Sequence, residues 1–257
     1  MPGSDQKTHD AVVDAQFGPQ ASAYVQSAVH AGGEDLDQLE AIAQRARPER
    51  ALDLGCGGGH VAYRLSPHSG QVVACDLSPG MLAAVRETAA RRGLDNITTE
   101  LAAAESLPFE DGAFDLVASR FSAHHWRDLD RGLAEAWRVA RKGAVAVFID
   151  AISPGPPLLD SHLQAIELLR DPSHVRDYSP AEWLAAATRA GFQVEAMVRR
   201  RIRMDFADWT RRMRTPPTQA AAIRALQEAA SHEVRGGFAI EADGSFQLDV
   251  LLIEARA

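Results

Sequence analysis

The chain has 257 residues, of which 46% are hydrophobic and 24% are charged, so it can form a sizeable buried core and is not globally disordered. Its 35 acidic and 27 basic residues give a net charge of −8, which disfavours nucleic acid and anionic membranes as general partners because both require a basic surface. The N-terminus is polar, the two cysteines form no disulfide framework, and no run of 18 apolar residues occurs. We therefore expect a cytoplasmic protein without a membrane span or a metal site, either a monomer or a homodimer.

Strands and helices alternate through the first part of the chain. Apolar residues at helical spacing predict a helix from Glu34 that Pro48 ends. Further helices are predicted at about 59–65, from residue 78 onwards and at 128–141, and they separate five strands. The predicted strands cover residues 50–54, 71–76, 96–101, 114–118 and 143–150. This alternation predicts a parallel sheet with helices on both faces, which binds ligands beyond the carboxyl ends of its strands.

The pattern changes after residue 150. Ser179 to Glu182 has the form of a capping box, which predicts a helix that ends at Gly191. Two further strands are predicted at 192–204 and 245–255. We predict an α/β fold over residues 34–257, a Rossmann-like, doubly wound sheet of seven mostly parallel strands, preceded by an N-terminal segment over residues 1–33. Helical insertions at about 152–178 and 205–237 are predicted to form a lid, since long insertions in compact domains are usually functional.

A glycine-rich loop follows the first predicted strand, in the segment Asp53-Leu-Gly-Cys-Gly-Gly-Gly-His60. Glycines at such a turn let the backbone approach a ligand closely. The nicotinamide fingerprint would need glycine at position 60, where histidine stands. Asp76 ends the second strand, 21 residues after Gly55, where an acidic residue can accept hydrogen bonds from both hydroxyls of a ribose. The loop and Asp76 together predict a nucleoside-binding site, and the alternative is a tight structural turn.

Three segments resemble the class I S-adenosylmethionine-dependent methyltransferases, in particular the small-molecule branch with the ubiquinone/menaquinone-biosynthesis-type enzymes. They are LDLGCGGG, CDLSPGML and AESLPFEDGAFDLVASRFSAHHW. The resemblance covers about residues 17–150. It implies S-adenosyl-L-methionine as cofactor, S-adenosyl-L-homocysteine as product, and methyl transfer by in-line displacement to a small-molecule acceptor.

The resemblance also implies a set of cofactor-binding residues. They are Phe17, Tyr24, Asp53, Gly55, Gly57, Asp76, Leu77, Met81, Ala104, Glu105 and Arg120. The glycine loop and Asp53 would hold the methionine end, Asp76 the ribose, and residues 77, 81, 104 and 105 the adenine. Phe17 and Tyr24 would belong to an N-terminal segment that closes over the cofactor. The chain departs from many relatives at Ala103, where they carry an aspartate that bonds the adenine amino group.

Two residues after the fourth strand are candidates for catalysis. Arg120 would lie near the sulfonium and the acceptor, and His124 could take a proton from a hydroxyl or an activated carbon. The alternative for His124 is a structural role, because in-line displacement depends mainly on alignment and a base is optional. Seven arginines between residues 199 and 214 favour an anionic acceptor, such as a carboxylate or phosphate, or else form salt bridges on the surface.

Other functions remain as alternatives. A non-catalytic S-adenosylmethionine-binding regulatory protein could have the same scaffold, because a fold does not fix a function. A nucleic-acid methyltransferase would commonly carry Asn/Asp-Pro-Pro-aromatic after the fourth strand, where this chain has Ser119-Arg-Phe-Ser122. An aminopropyl transferase would need an acidic pocket for a polyamine, and no acidic cluster follows the fourth strand in the sequence.

Overall fold

The computed structural model describes residues 7–20 and 32–257. Within these residues seven strands form one sheet in the order β3-β2-β1-β4-β5-β7-β6. The strands are β1 (Arg50–Leu54), β2 (Gln71–Asp76), β3 (Ile97–Leu101), β4 (Phe114–Arg120), β5 (Ala140–Ile152), β6 (Gln193–Met204) and β7 (Phe246–Arg256). Pairing is parallel from β3 through to β5, and β7 is antiparallel to both of its neighbours. The predicted seven-stranded, mostly parallel sheet is confirmed.

Helices cover both faces of this sheet. Those of the described residues are α1 (His9–Phe17), α2 (Glu34–Ala46), α3 (His60–Leu65), α4 (Pro79–Arg92), α5 (Leu129–Val139), α6 (Pro157–Arg170), α7 (Pro180–Ala190), α8 (Phe206–Arg212), α9 (Pro217–Glu228) and α10 (His232–Gly237). No helix in this part of the chain has the length and apolar character needed to cross a bilayer.

Two apolar cores lie on opposite faces of the sheet. One packs α5 and α7 against alternate residues of the strands, with Phe148 and Trp183 near its centre. The other packs α2, α3 and α4 against the opposite face, with Leu116 and Val147 among the strand residues. Because both faces are covered, β1 is buried along residues 51–54, as is typical of a central parallel strand.

The two insertions share a third core. Leu163 and Ile166 of α6 pack with Trp209 of α8 and Ile223 of α9 against the ends of β5 and β7. The second insertion holds three helices where the sequence predicts a pair. The reason is local: Pro216 precedes α9, and the side chain of Ser231 caps a separate α10 by accepting the Val234 N–H.

The capping box at the start of α7 provides a test of local stability. The Ser179 hydroxyl accepts the Glu182 N–H at 3.3 Å, and the Glu182 carboxylate accepts the Ser179 N–H at 2.7 Å. Ser179→Ala removes the acceptor of the Glu182 N–H, while the Glu182 carboxylate keeps its bond from the N–H of residue 179, and the change should cost about 1 kcal/mol. We expect the unfolding temperature to fall by about 2–4 °C in calorimetry. Ser179→Asp, which retains a capping acceptor, should keep the wild-type value; equal losses in both variants would contradict this role.

Candidate active site

The glycine loop after β1 is tied to the end of β2. The N–H groups of Gly55 and Cys56 both donate to the Cys75 carbonyl at 2.9 Å. Gly55, Gly57 and Gly59 have φ angles of +70°, +47° and +80°, which are favourable only for glycine. The sequence therefore needs glycine here to bring the chain sharply from β1 into α3.

The Asp76 carboxylate lies directly against this loop. Its Oδ2 accepts the Gly57 N–H at 2.8 Å, and its Oδ1 accepts the Ser78 N–H at 2.9 Å. Burial raises the pKa of Asp76, and these two hydrogen bonds act in the opposite direction. The bend near residue 57 and the carboxylate at residue 76 are thus joined by a hydrogen bond, as a nucleoside site requires.

Asp53 lies beneath the loop. It is 1% exposed, and its Oδ2 accepts the Ala62 N–H of the first turn of α3 at 2.9 Å. Burial raises the pKa of Asp53 to about 7, although the bond from Ala62 counteracts this. An anion at a helix N-terminus is favoured by the helix dipole, so Asp53 also fixes how α3 meets the loop.

A first cavity opens at the carboxyl ends of β1, β2 and β4. All ten of the predicted cofactor residues that the structure describes line it: Phe17, Asp53, Gly55, Gly57, Asp76, Leu77, Met81, Ala104, Glu105 and Arg120. Tyr24 lies outside the described residues. The sequence interpretation missed His9, Asp10 and Val13, which α1 contributes to the same cavity. The helix is short and only one of its residues, Val13, is buried, so the sequence shows no clear periodic signal there.

Hydrogen bonds of Glu105 hold the predicted adenine edge of the first cavity in place. The Glu105 carboxylate accepts the Arg127 N–H at 2.7 Å, and its carbonyl accepts the Arg131 Nε–H at 3.0 Å. Ala103 is not among the residues that line the cavity. The carboxylate of Glu105 thus already has a backbone partner, and its side chain orders this wall of the first cavity.

Helix α1 is held across the first cavity by polar contacts from several elements. The His9 ring donates to the His125 carbonyl at 2.8 Å, Ser78 donates to Asp14 at 2.7 Å, and Gln16 donates to the Met213 carbonyl at 3.0 Å. Because His125 follows β4 and residue 213 follows α8, α1 connects the cofactor side of the site with the second insertion.

A second cavity of about 430 Å³ adjoins the first. The two share Phe17, Arg120, Phe121 and His125 in their walls. Both insertions line the second cavity, the first through α6 and the loop after it and the second through Trp209, while β6 and β7 contribute apolar side chains and β6 also contributes arginines. A volume of this size is typical of sites for small organic ligands.

Arg120 lies between the two cavities. Its guanidinium forms a buried ion pair with Asp35 at the start of α2, and it lies 4.6 Å from the centre of the Phe121 ring. Phe121 has a φ of +51°, an uncommon backbone conformation for a large side chain. An ion-paired arginine and an uncommon backbone conformation thus lie together at the shared wall.

His124 lines the second cavity and is bonded to Asp150 at the end of β5. The His124 Nδ1 lies 2.6 Å from Asp150 Oδ1, and the His124 N–H donates to Asp150 Oδ2 at 3.3 Å. Burial alone would lower the pKa of His124, but the charges of Asp150, Asp177 and Glu167 outweigh it and raise the pKa to about 9. Burial and the charge of His124 lower the pKa of His125 to about 4.

The arginines between residues 199 and 214 mostly form ion pairs. Arg199 and Arg201 both contact Asp249, which faces them from β7. Arg203 pairs with Glu241, and Arg200 pairs with Glu34. Arg200, Arg201, Arg203 and Arg212 nevertheless line the second cavity. An anionic acceptor stays a prediction, with less free positive charge to support it than the sequence suggested.

Carboxylates of the first insertion are the main feature that sequence reasoning missed. Glu167, Asp171 and Asp177 line the second cavity, and we refer to these three residues as the acidic wall. They lie more than 40 positions after the fourth strand, and no sequence signal brings them next to His124. Among the described residues, no group of three or more His, Cys, Asp or Glu side chains is arranged to hold a metal ion.

The comparison with protein families supports a methyltransferase. The model of the family described as "Methyltransferase domain" matches residues 52–148. This range runs from β1 into β5 and therefore includes the glycine loop, Asp76 and Arg120.

Similar proteins cover most of the chain. The uncharacterized protein YafE of Escherichia coli (strain K12) is 43% identical over 202 residues, which span 79% of this chain and 98% of that protein. The uncharacterized methyltransferase YcgJ of Bacillus subtilis (strain 168) is 30% identical over 94% of this chain and 97% of its own.

Solved structures agree with these matches. The YcgJ crystal structure superposes with a TM-score of 0.81, over 86% of this chain and 97% of that chain. The BH2331 protein of Bacillus halodurans C-125 superposes with a TM-score of 0.84 at 30% identity, over 87% and 99%. With the cofactor cavity at the carboxyl ends of β1, β2 and β4, the chain belongs to the class I S-adenosylmethionine-dependent methyltransferases.

Proposed function

We propose that this enzyme transfers the methyl group of S-adenosylmethionine to a small-molecule acceptor bound in the second cavity. The observation that supports the proposal most directly is that the two cavities share a wall. This wall is formed by Phe17, Arg120, Phe121 and His125. A donor in the first cavity and an acceptor in the second would meet at this wall, as in-line displacement requires.

In this proposal the first cavity holds the cofactor in an extended conformation. Asp76 accepts the two ribose hydroxyls, and the backbone of the loop around Gly57 lies along the methionine end. Asp53 supports the position of this loop through its bond to α3. Leu77, Met81, Ala104 and Glu105 surround the adenine. The burial of Met81 and the proximity of Asp76 to the loop support this arrangement.

Methyl transfer from a sulfonium requires the protein mainly to align the reactants and to exclude water. S-adenosylmethionine supplies a methyl group that is already activated as a sulfonium. Arg120 is held by Asp35, and because a guanidinium group carries only hydrogen-bond donors, it positions groups at the shared wall and removes no proton. The pKa of His124 is raised to about 9 and Asp150 occupies its Nδ1, so His124 accepts a proton from an acceptor, at Nε2, only above about pH 9.

A small acceptor fits the surroundings of the second cavity. The insertions at about 152–178 and 205–237 act as a lid, together with the N-terminal segment, and the third core that they share supports a common cover. Free thiols at Cys56 and Cys75 fit a reducing compartment and support a cytoplasmic location. The net charge of −8 disfavours a nucleic acid as acceptor.

A thermal-shift measurement tests the cofactor assignment. At about 100 times its dissociation constant, a ligand of the native state adds about 2.7 kcal/mol to the free energy of unfolding. We expect S-adenosylhomocysteine to raise the unfolding temperature by about 5–10 °C, and NADH to leave it unchanged. A shift with NADH and none with S-adenosylhomocysteine would refute the proposal.

A second measurement distinguishes an enzyme from a non-catalytic regulatory protein. The purified protein is incubated with S-adenosylmethionine and a small-molecule extract, and formation of S-adenosylhomocysteine is followed by mass spectrometry. We expect extract-dependent product, because the second cavity gives access to the shared wall. Tight binding of the cofactor with no product from any extract would favour the non-catalytic alternative.

A further inference from the structure

We infer that the acidic wall of the second cavity recognises a positively charged amine on the methyl acceptor, with Asp177 as its direct partner. This inference rests on the proposed function, because it assigns the second cavity to the acceptor. It names the chemical class of the acceptor and leaves open which atom receives the methyl group.

The buried side chain of Asp177 is the observation that supports this inference most strongly. The residue is 1% exposed and lines the second cavity, and its Oδ2 is buried without a hydrogen-bond partner among the described residues. A buried carboxyl oxygen without a partner is rare in folded proteins and costs stability. Such a group therefore points to a ligand that completes it.

The main chain around Asp177 is held in place, so its carboxyl group does not turn away freely. The side chain of Gln164 on α6 accepts the Asp177 N–H at 3.1 Å and donates to the Asp177 carbonyl at 2.8 Å. His174 in turn donates to the Gln164 Oε1 at 3.0 Å. This network uses only the backbone of Asp177, and it presents the side chain at a fixed position in the wall of the cavity.

The charges near Asp177 decide the sign of the ligand. Four carboxylates lie in this region: Asp150, Glu167, Asp171 and Asp177. The cations whose charges act most on Asp177 are Arg170, which pairs with Glu167 at 3.1 Å, and His124, which is bonded to Asp150. Five further arginines line other parts of the cavity. Asp171 accepts both the N–H and the hydroxyl of Ser173, and its nearest histidine, His125, is held neutral. Arg170 and His124 are thus taken up by Glu167 and Asp150, and no ion pair joins a described cation to Asp177 itself.

The pKa of His124, which lies next to this region, is also raised by the nearby carboxylates. The charges of Asp150, Asp177 and Glu167 raise the pKa of His124 to about 9, even though burial acts against its protonation. Conversely, burial and the charges of Glu167 and Asp150 raise the pKa of Asp177 well above its usual range. An added anion would meet repulsion here, whereas an ammonium group would relieve it and allow Asp177 to ionise.

The remainder of the cavity is suited to an apolar body. Ile202 and Met204 of β6, Leu248 and Val250 of β7, and the Trp209 ring lie along its walls. An acceptor that combines an aromatic or aliphatic skeleton with an amine would match both parts of the surface. Most of the arginines that favoured an anionic acceptor are already paired with Asp249, Glu241 or Glu34.

Three small probes of similar shape test the inference. They are 2-phenylethylamine, which is a cation, 2-phenylethanol, which is a neutral hydrogen-bond donor, and phenylacetate, which is an anion. Each is titrated by calorimetry into the full chain saturated with S-adenosylhomocysteine. We expect the amine to bind at least about 10-fold more tightly than either other probe, as one charge-assisted hydrogen bond predicts.

The variant Asp177→Asn keeps the shape of the side chain and removes its charge. We expect it to lower the affinity for 2-phenylethylamine about 10-fold, to the level of the alcohol, while the affinity for S-adenosylhomocysteine is unchanged. Asp95→Asn, in an exposed turn, makes the same chemical substitution outside both cavities and should alter neither affinity. Since Asp177 carries no side-chain partner for its Oδ2, the unfolding temperature of Asp177→Asn should not fall.

Proton release gives an independent readout. Amine binding to the wild type should release close to one proton, measured from the buffer dependence of the binding enthalpy, because the ammonium charge favours the ionised carboxyl group. The release should disappear in Asp177→Asn. Tightest binding of phenylacetate, equal affinity for the three probes, no detectable amine binding, or amine binding that Asp177→Asn leaves unchanged would each overturn the inference. Loss of S-adenosylhomocysteine binding by the wild type would instead refute the proposed function.

Discussion

Asp76→Ala should weaken the binding of S-adenosylhomocysteine by about 100-fold or more. In the proposed complex the Asp76 carboxylate accepts two ribose hydroxyls, and a hydrogen bond to a charged group contributes about 1.5–3 kcal/mol. The same carboxylate accepts the Gly57 N–H at 2.8 Å, so its loss also loosens the loop that faces the methionine end. Calorimetric titration of the purified variant measures the effect.

The variant His124→Ala is the matched control for Asp76→Ala. His124 lines the second cavity only, so this variant should bind S-adenosylhomocysteine within about 3-fold of the wild type, as expected for a residue outside the cofactor cavity. Asp76→Asn should lie between the two, because the amide retains an acceptor oxygen but carries no charge. Similar, small losses in Asp76→Ala and His124→Ala would remove the ribose role of Asp76.

Gly55→Ala should destabilise the protein by about 3 kcal/mol and lower its unfolding temperature by about 6–12 °C. A Cβ at this position would lie 1.8 Å from the Ser122 Oγ and 2.6 Å from the Ser122 Cβ. Rotation of the Ser122 side chain cannot relieve the second contact, and it would break the hydrogen bond from Trp126 Nε1 at 3.0 Å. The φ of +70° adds backbone strain.

The variant Gly93→Ala separates the backbone strain from the steric contact with Ser122. Gly93 ends α4 with a φ of +66°, and a Cβ there would meet no atom within 4 Å. This variant should therefore show only the backbone cost, about 1–2 kcal/mol. Thermal unfolding followed by circular dichroism measures both variants. Equal losses in Gly55→Ala and Gly93→Ala would show that the contact with Ser122 contributes nothing.

The fold and the grouping of the predicted residues around the first cavity were predictable because their signals are local. Buried parallel strands give continuous apolar runs, and the turn after β1 requires glycine at positions where other residues would be strained. Asp76 stands at a fixed distance after that turn because β2 must pair with β1 in register, from Arg50 with Gln71 to Leu54 with Cys75.

The acceptor side was not predictable in the same way. Asp177 and His124 are brought together by the packing of the first insertion over the end of β4, and no periodicity in the sequence encodes that contact. The pairing of Arg199 with Asp249 likewise depends on the antiparallel register of β6 and β7. Phe17 was predicted, but His9, Asp10 and Val13 of the same helix were missed because its nine residues include only one buried side chain, Val13.

Phe17 belongs to the walls of both cavities, on a helix anchored at His125 and at residue 213. Retention of the donor and choice of the acceptor are therefore not independent properties of this enzyme. Attempts to broaden its acceptor range by directed evolution would have to vary α1 together with α6 and α8, since a larger acceptor that displaced Phe17 would also uncover the donor.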